Sequence, residues 1–319
     1  MSRQQYDGQR SVDPEAPLNL DNLKDKSVVI TGGASGFGKA FAQEFIKAGA
    51  YVTFGDINEE QGAQVAAELG RNAQFVKCDV TSWEDQLAMF KAAVSHSPRH
   101  SCDIVLANAG IGNHDQVLYF DETTDEPVKP DLSTLNVTLI GTFYTANLAM
   151  QYFKRQPETE EHDRCLIMTS SLAGYLDLTG APQYCASKFG VRALMRVLRR
   201  STHETGIRVN NIAPWSVPIL RTISGSRKLK LNSFRFVQTS IISAPLRKLI
   251  DESGVEWAQV PDTVSAVLRI ASDREVNGRA LAIVPRSITA KGYLDLKADD
   301  CDDSEMLKDL QRQALFPTI

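Results

Sequence analysis

Short apolar runs set between stretches of helical periodicity constrain this 319-residue chain more than any other feature. They read SVVIT (27–31), YVTFGD (51–56), AQFVKCDV (73–80), DIVLANAG (103–110), LIMTSS (166–171), IRVNNIAP (207–214) and RALAIVP (279–285). SVVIT is β-branched and continuous rather than alternating, the pattern of a strand covered on both faces. Helical patterns at 37–50, 59–69, 82–95, 131–154, 186–204 and 261–272 separate the runs. Such alternation implies right-handed βαβ crossovers, hence an α/β fold with one doubly wound parallel sheet in three α/β/α layers. The helices at 131–154 and 186–204 are apolar on most faces. Phe189, Val191, Leu194, Val197 and Leu198 are therefore expected inside, within one chain or at a subunit interface.

Composition removes several classes. A hydrophobic share of 43% and a charged share of 23% are those of an ordinary globular protein. A formal charge of -4 leaves no basic footprint, so nucleic acid is not an expected partner. No apolar run approaches the roughly 20 residues of a membrane span, so stable membrane insertion is not expected. Residues 1–22 lack an apolar core and read as a flexible polar arm rather than a signal peptide. The cysteines (78, 102, 165, 185 and 301) are odd in number and form no CxxC pair. Reduced thiols, a cytoplasmic location and no metal site follow as expectations. None of the five histidines pairs with an obvious nucleophile.

After the first run comes TGGASGFG, with Gly32, Gly36 and Gly38. Glycines permit a tight turn, and the helix that begins near Phe37 offers free N–H groups to an anion. The Gly-x3-Gly-x-Gly spacing is not GxGxxG, so a turn with nothing bound stays open at this point. Asp56 ends the second run about 20 residues on, where a dinucleotide fold places a ribose-binding acid. A carboxylate there also repels a 2′-phosphate, which favours NAD over NADP. In QYCASK, Tyr184 and Lys188 are four apart and share one helix face. An adjacent ammonium would stabilise phenolate and lower the phenol pKa from its ordinary value of about 10. Alone, the pair fits equally an amphipathic helix with a solvated lysine.

These motifs in this order resemble the short-chain dehydrogenase/reductase family, over about residues 24–285. The match comprises TGxxxGxG from Thr31 to Gly38, Asp56, the pair Asp79–Val80, NAG at Asn108, Ala109 and Gly110, then Asn136, Ser171 and YxxxK. Ser171 precedes Tyr184 by 13 positions (184 − 171), the separation this family uses. The resemblance implies a Rossmann-type single domain over 23–286, a substrate lid within 215–260 and an acidic tail over 287–319. It implies an NAD site formed by Thr31, Gly32, Ser35, Gly36, Phe37, Gly38, Asp56, Ile57, Asp79, Val80, Asn108, Ala109, Gly110, Tyr184, Lys188, Pro214 and Val217. Tyr184 would be the general acid/base, and Lys188 would lower its pKa and hold the nicotinamide ribose. Ser171 would donate to the substrate oxygen, with Ser170 a structural hydroxyl. Asn136 would anchor a water that passes protons toward Lys188. The implied reaction interconverts a secondary alcohol and a ketone on a bulky lipophilic molecule, in a homodimer or homotetramer.

Some departures matter. The family's Pro-Gly-x-Val-x-Thr is PWSVPI here, with Trp215 for the glycine and Ile219 for the threonine. One lost hydrogen bond to the nicotinamide carboxamide costs about 1 kcal/mol, and Thr222 is close enough in sequence to replace it. From Arg221 to Lys248 the chain carries Arg and Lys and no acid. This stretch is either a solvated lid or part of a pocket for an apolar substrate with an anionic group. The PW loop and the Asp-rich tail are similar to the 15-hydroxyprostaglandin dehydrogenase group and its fungal relatives, 5′-hydroxyaverantin dehydrogenase among them, which suggests secondary metabolism. Two other readings stay open: a non-redox isomerase or cyclase using the same tyrosine, and a dinucleotide-sensing binding protein. The intact Asn136, Ser171, Tyr184 and Lys188 argue against the second.

Overall fold

Ser27–Thr31 forms β1, and all five of its residues are buried, as a strand sandwiched between helices requires. The computed structural model describes residues 11–112, 115–117, 125–157, 159, 162–178, 180–202, 205–215, 256–300 and 306. The further parallel strands are β2 (Tyr51–Asp56), β3 (Ala73–Lys77), β4 (Ile104–Ala107), β5 (Cys165–Thr169), β6 (Arg208–Pro214) and β7 (Ala280–Ile283). With a last short strand β8 (Tyr293–Asp295), the sheet order is β3-β2-β1-β4-β5-β6-β7-β8. The chain thus winds outward from β1 in both directions, leaving a switch point between β1 and β4 at their carboxyl ends.

Helices α1 (Gly36–Lys47), α2 (Glu59–Leu69) and α7 (Val260–Ser272) cover one face, with Phe41, Phe45, Val65 and Val267 in its core. On the other face lie α3 (Trp83–His96), α5 (Gly141–Arg155) and α6 (Pro182–Ser201), with Met89, Phe153, Val191 and Met195 inside. The short α4 (Ser133–Leu135) runs into α5 through a π-helical turn, Asn136–Ile140. Of the two alternatives for Phe189 and Val197, packing within one chain is corrected: they are 42% and 62% exposed. A helix lying on one sheet face buries a single stripe, which here takes Val191 completely and Leu194 and Leu198 in part.

Both expected terminal boundaries shift. Tyr293–Asp295 forms β8, antiparallel to β7, so the sheet runs past residue 286. Arg279 fixes this strand with paired hydrogen bonds to Asp295 and Asp300. At the other end, Val12 is buried and donates its N–H to Asp295 Oδ2, while Asn22 donates to the Ser272 carbonyl. Residues 11–22 therefore pack on the domain instead of forming a free arm.

Candidate active site

The glycine turn lies at the carboxyl end of β1. Gly32 and Gly36 hold φ values of 69° and 53°, where a side chain is strained. A Cβ on Gly38 would sit 2.1 Å from the Gly32 carbonyl oxygen, so the helix presses directly on the turn. Gly33 is equally constrained, since a Cβ there would meet Phe54 at 2.5 Å. Sequence reasoning passed over Gly33, although it stands in the quoted motif. Ser35 occupies the N-cap of α1 without making a side-chain cap bond. Asp56, at the end of β2, accepts the Ala34 N–H with one oxygen (3.1 Å) and the Asn58 N–H with the other (3.0 Å). The acid is thus fastened to the turn, while the neighbouring Ile57 is 67% exposed. A tight uncapped turn beside a partly exposed carboxylate fits a dinucleotide with free ribose hydroxyls.

Asn108 closes the floor of the crevice. Its amide donates to the Thr31 carbonyl (3.0 Å) and its oxygen accepts from Thr169 (3.3 Å), tying β1, β4 and β5 together. Thr31 Oγ1 in turn accepts the N–H groups of Asn108 and Ala109. Asp79 accepts from the Thr81 N–H and hydroxyl in the turn before α3, and Val80 beside it is buried against Gly141.

A cleft lined by Phe37, Gly110, Ser171, Tyr184, Lys188 and Pro214 opens over this floor. Ser171 accepts the Ala173 N–H, lies 3.3 Å from the Pro214 carbonyl and hydrogen-bonds the Tyr184 hydroxyl. Ser170 instead donates to the Lys188 carbonyl, away from the phenol. Lys188 is 4% exposed, and its Nζ donates to the Thr169 carbonyl at 2.7 Å and stands 5.6 Å from the Tyr184 ring centroid.

The electrostatics correct one expectation. Burial raises the Tyr184 pKa to about 12 instead of the expected lowering, outweighing a smaller downward pull from the Ser171 hydrogen bond. The residue is partly buried and still reaches the cleft. Burial also lowers the Lys188 pKa to about 7, because its ammonium has a neutral carbonyl as partner.

Asn136 begins the π-helical turn, is exposed, and its carbonyl accepts the Gly141 N–H. Two residues on, Thr138 is fully buried, and its hydroxyl both accepts the Ile111 N–H and donates to the Ile111 carbonyl, each at 3.0 Å. Ile111 follows the NAG motif, and a Cβ on Gly110 would touch both Thr138 Oγ1 (3.4 Å) and Lys188 Nζ (3.6 Å). Thr138 thus stands on the lysine side of the site. One short polar residue in an apolar helix carried no signal that would have found it. Val217, Ile219 and Thr222, with most of the expected lid, lie outside the described residues. Among the described residues there is no His, Cys, Asp and Glu cluster suited to a metal, and no helix long and apolar enough to cross a membrane.

The family model described as short chain dehydrogenase matches residues 26–219. The 5′-hydroxyaverantin dehydrogenase of Dothistroma septosporum is 39% identical over 305 residues, covering 90% of this chain and 91% of that protein. An NADP-dependent dehydrogenase, M3, of a Phoma species is 32% identical, covering 88% of this chain and 80% of its own. In structure, the 3-ketoacyl-(acyl-carrier-protein) reductase from Brucella melitensis complexed with NADH is similar, with a TM-score of 0.64. It is 24% identical, over 82% of this chain and 97% of that one.

Proposed function

Because the chain belongs to the short chain dehydrogenase family, we propose that it is an NAD(H)-dependent oxidoreductase. Its reaction interconverts a secondary alcohol and a ketone on a bulky lipophilic molecule. The observation that carries this reading is the hydrogen-bonded Ser171–Tyr184 pair at the cleft, with Lys188 beneath the phenol.

A bound nicotinamide would supply the hydride exchange. Tyr184 gives its proton to the substrate oxygen in reduction and takes one back in oxidation. Ser171 donates to the same oxygen where negative charge grows. Lys188, when protonated, favours the phenolate that oxidation requires. Thr138 holds the Ile111 backbone beside this group. The glycine turn and the α1 N-terminus receive the pyrophosphate, and Asp56 receives the adenosine ribose.

Asp56 favours NAD, since a 2′-phosphate would meet its carboxylate; the NADP-dependent relative makes this the point to test. Exposed Ile140, Phe143, Phe189 and Val197 around α5 and α6 support a homodimer or homotetramer. The relative named for 5′-hydroxyaverantin suggests the first substrate to assay. Calorimetric titration should show NAD binding more tightly than NADP; equal or tighter NADP binding overturns the cofactor assignment. Hydride transfer to NAD from 5′-hydroxyaverantin should fall by at least about 10²-fold in Tyr184→Phe. Near-normal transfer in that variant removes the phenol from the chemistry.

A further inference from the structure

Asp299 is 1% exposed, in a 3-10 turn (Lys297–Asp299) beyond the last strand. Its carboxylate accepts from the Tyr175 hydroxyl at 2.6 Å and from Arg192 Nε at 2.7 Å. Arg196 Nε approaches the same carboxylate at 3.7 Å. Its backbone carbonyl accepts from Arg199, whose other terminal nitrogen donates to the Gly278 carbonyl.

Both partners of the carboxylate lead to the cleft. Arg192 lies one helical turn beyond Lys188 on α6, and Tyr175 ends the short turn that Ser171 begins. The Arg192 guanidinium lies 3.9 Å over the Tyr175 ring and donates to the Gly174 carbonyl at 3.1 Å. A Cβ on Gly174 would meet the Lys188 carbonyl carbon and oxygen at 3.0 Å and 2.8 Å. The Ser171 turn therefore rests directly on the backbone of the helix that carries Tyr184 and Lys188. One carboxylate bonds to both from outside.

We propose that Asp299 is a positioning residue: it clamps the Ser171 turn to α6 and thereby sets the distance between the Ser171 and Tyr184 hydroxyls. The clamp makes the C-terminal segment part of the working site, although none of its described residues lines the cleft. A buried carboxylate among arginines is a costly means of anchoring a chain end, whereas charge-assisted hydrogen bonds fix direction as well as distance. The inference rests on the reading of Ser171 and Tyr184 as the reacting hydroxyls.

Asp299→Asn keeps the shape and removes the charge, and Tyr175→Phe deletes a single donor and leaves the arginines in place. Each is compared with the intact protein by turnover of 5′-hydroxyaverantin with NAD, by calorimetric NAD affinity, and by hydrogen exchange. For Asp299→Asn the expected loss in kcat is about tenfold, with NAD affinity within about twofold of the parent. Tyr175→Phe should show a smaller loss of the same kind. Exchange over 171–176 should quicken in both variants while 27–31 and 104–107 stay as slow as before. Unchanged exchange over 171–176 in both overturns the clamp. Equal losses in kcat and NAD affinity make Asp299 a structural anchor and also overturn it. If the parent protein oxidises no 5′-hydroxyaverantin or other secondary alcohol with NAD, the proposed function fails separately, and the exchange result still decides the clamp.

Discussion

Burial acts on Tyr184 and Lys188 in opposite senses, pushing the phenol up to about 12 and the ammonium down to about 7. Both shifts favour the neutral form, as desolvation must. The lysine shift has a consequence for stability. Its folded pKa of about 7 lies below the ordinary 10.5, so the folded protein binds fewer protons than the unfolded chain in that window. The penalty for a buried ammonium is complete below the folded value and disappears as pH rises to the unfolded one. Lys188→Met should therefore gain stability relative to the parent as pH falls from about 9.5 to about 6. Urea denaturation of both proteins across that range measures it, and a difference that does not vary with pH would sink the assignment. The YxxxK spacing made the neighbours legible, but not the sign of the shift, which depends on how much protein surrounds the oxygen. Thr138 and Asn136 make the same point. Thr138→Val strands two Ile111 backbone groups and should cost about 1–3 kcal/mol, whereas Asn136→Ala on the exposed surface should stay within about 0.5 kcal/mol. Chemical denaturation would show the ranking, and its reversal would mean that the Thr138–Ile111 hydrogen bonds contribute little to stability.

Helix α1 and the turn before it form one device, because Gly38 brings the helix backbone against the Gly32 carbonyl. Gly38→Ala forces them apart and should lower both thermal stability and NAD affinity. Gly70→Ala is the matched control: its φ is +83° but nothing lies within 4 Å of the added Cβ. That variant should cost only backbone strain, about 1–3 kcal/mol, and leave NAD affinity alone. Calorimetry on the two variants tests it, and equal loss of NAD affinity in both would mean that the close approach has no bearing on binding. The strands at 27–31 and 51–56 were readable to the residue because each is a buried β-branched or aromatic run. Tyr293–Asp295 was not, since three residues carry no periodicity and pairing with β7 alone makes them a strand. The π-helical turn at Asn136–Ile140 was hidden for a related reason: its hydrogen-bond shift leaves no mark on an already apolar segment.

Arg279 joins the chain's last described segment to the sheet. It is 3% exposed and donates to both Asp295 and Asp300. Asp295 also receives the Val12 N–H, so one cluster fastens both ends of the domain. Removing the cation leaves two buried carboxylates without its charge, and Arg279→Met should destabilise by about 3–5 kcal/mol. Adding Asp295→Asn and Asp300→Asn should recover part of that loss. Denaturant midpoints would show it, and a variant as stable as the parent would rule out the cluster as a fastening. The Asp-rich tail was visible as charge, but its partners stand far away in the chain. The alternation of strand and helix, the glycine turn, Asp56 and the Ser-Tyr-Lys spacing are local patterns, set by backbone sterics and side-chain periodicity over a few residues. They were enough for the α/β class and for the residues that line the crevice at the carboxyl ends of the strands. That Thr138 stands beside Lys188, and how Asp299 meets Arg192 and Tyr175, depend on contacts between distant segments. The same contacts set the pKa shifts, because solvent exclusion belongs to the packed site and to no single stretch of chain.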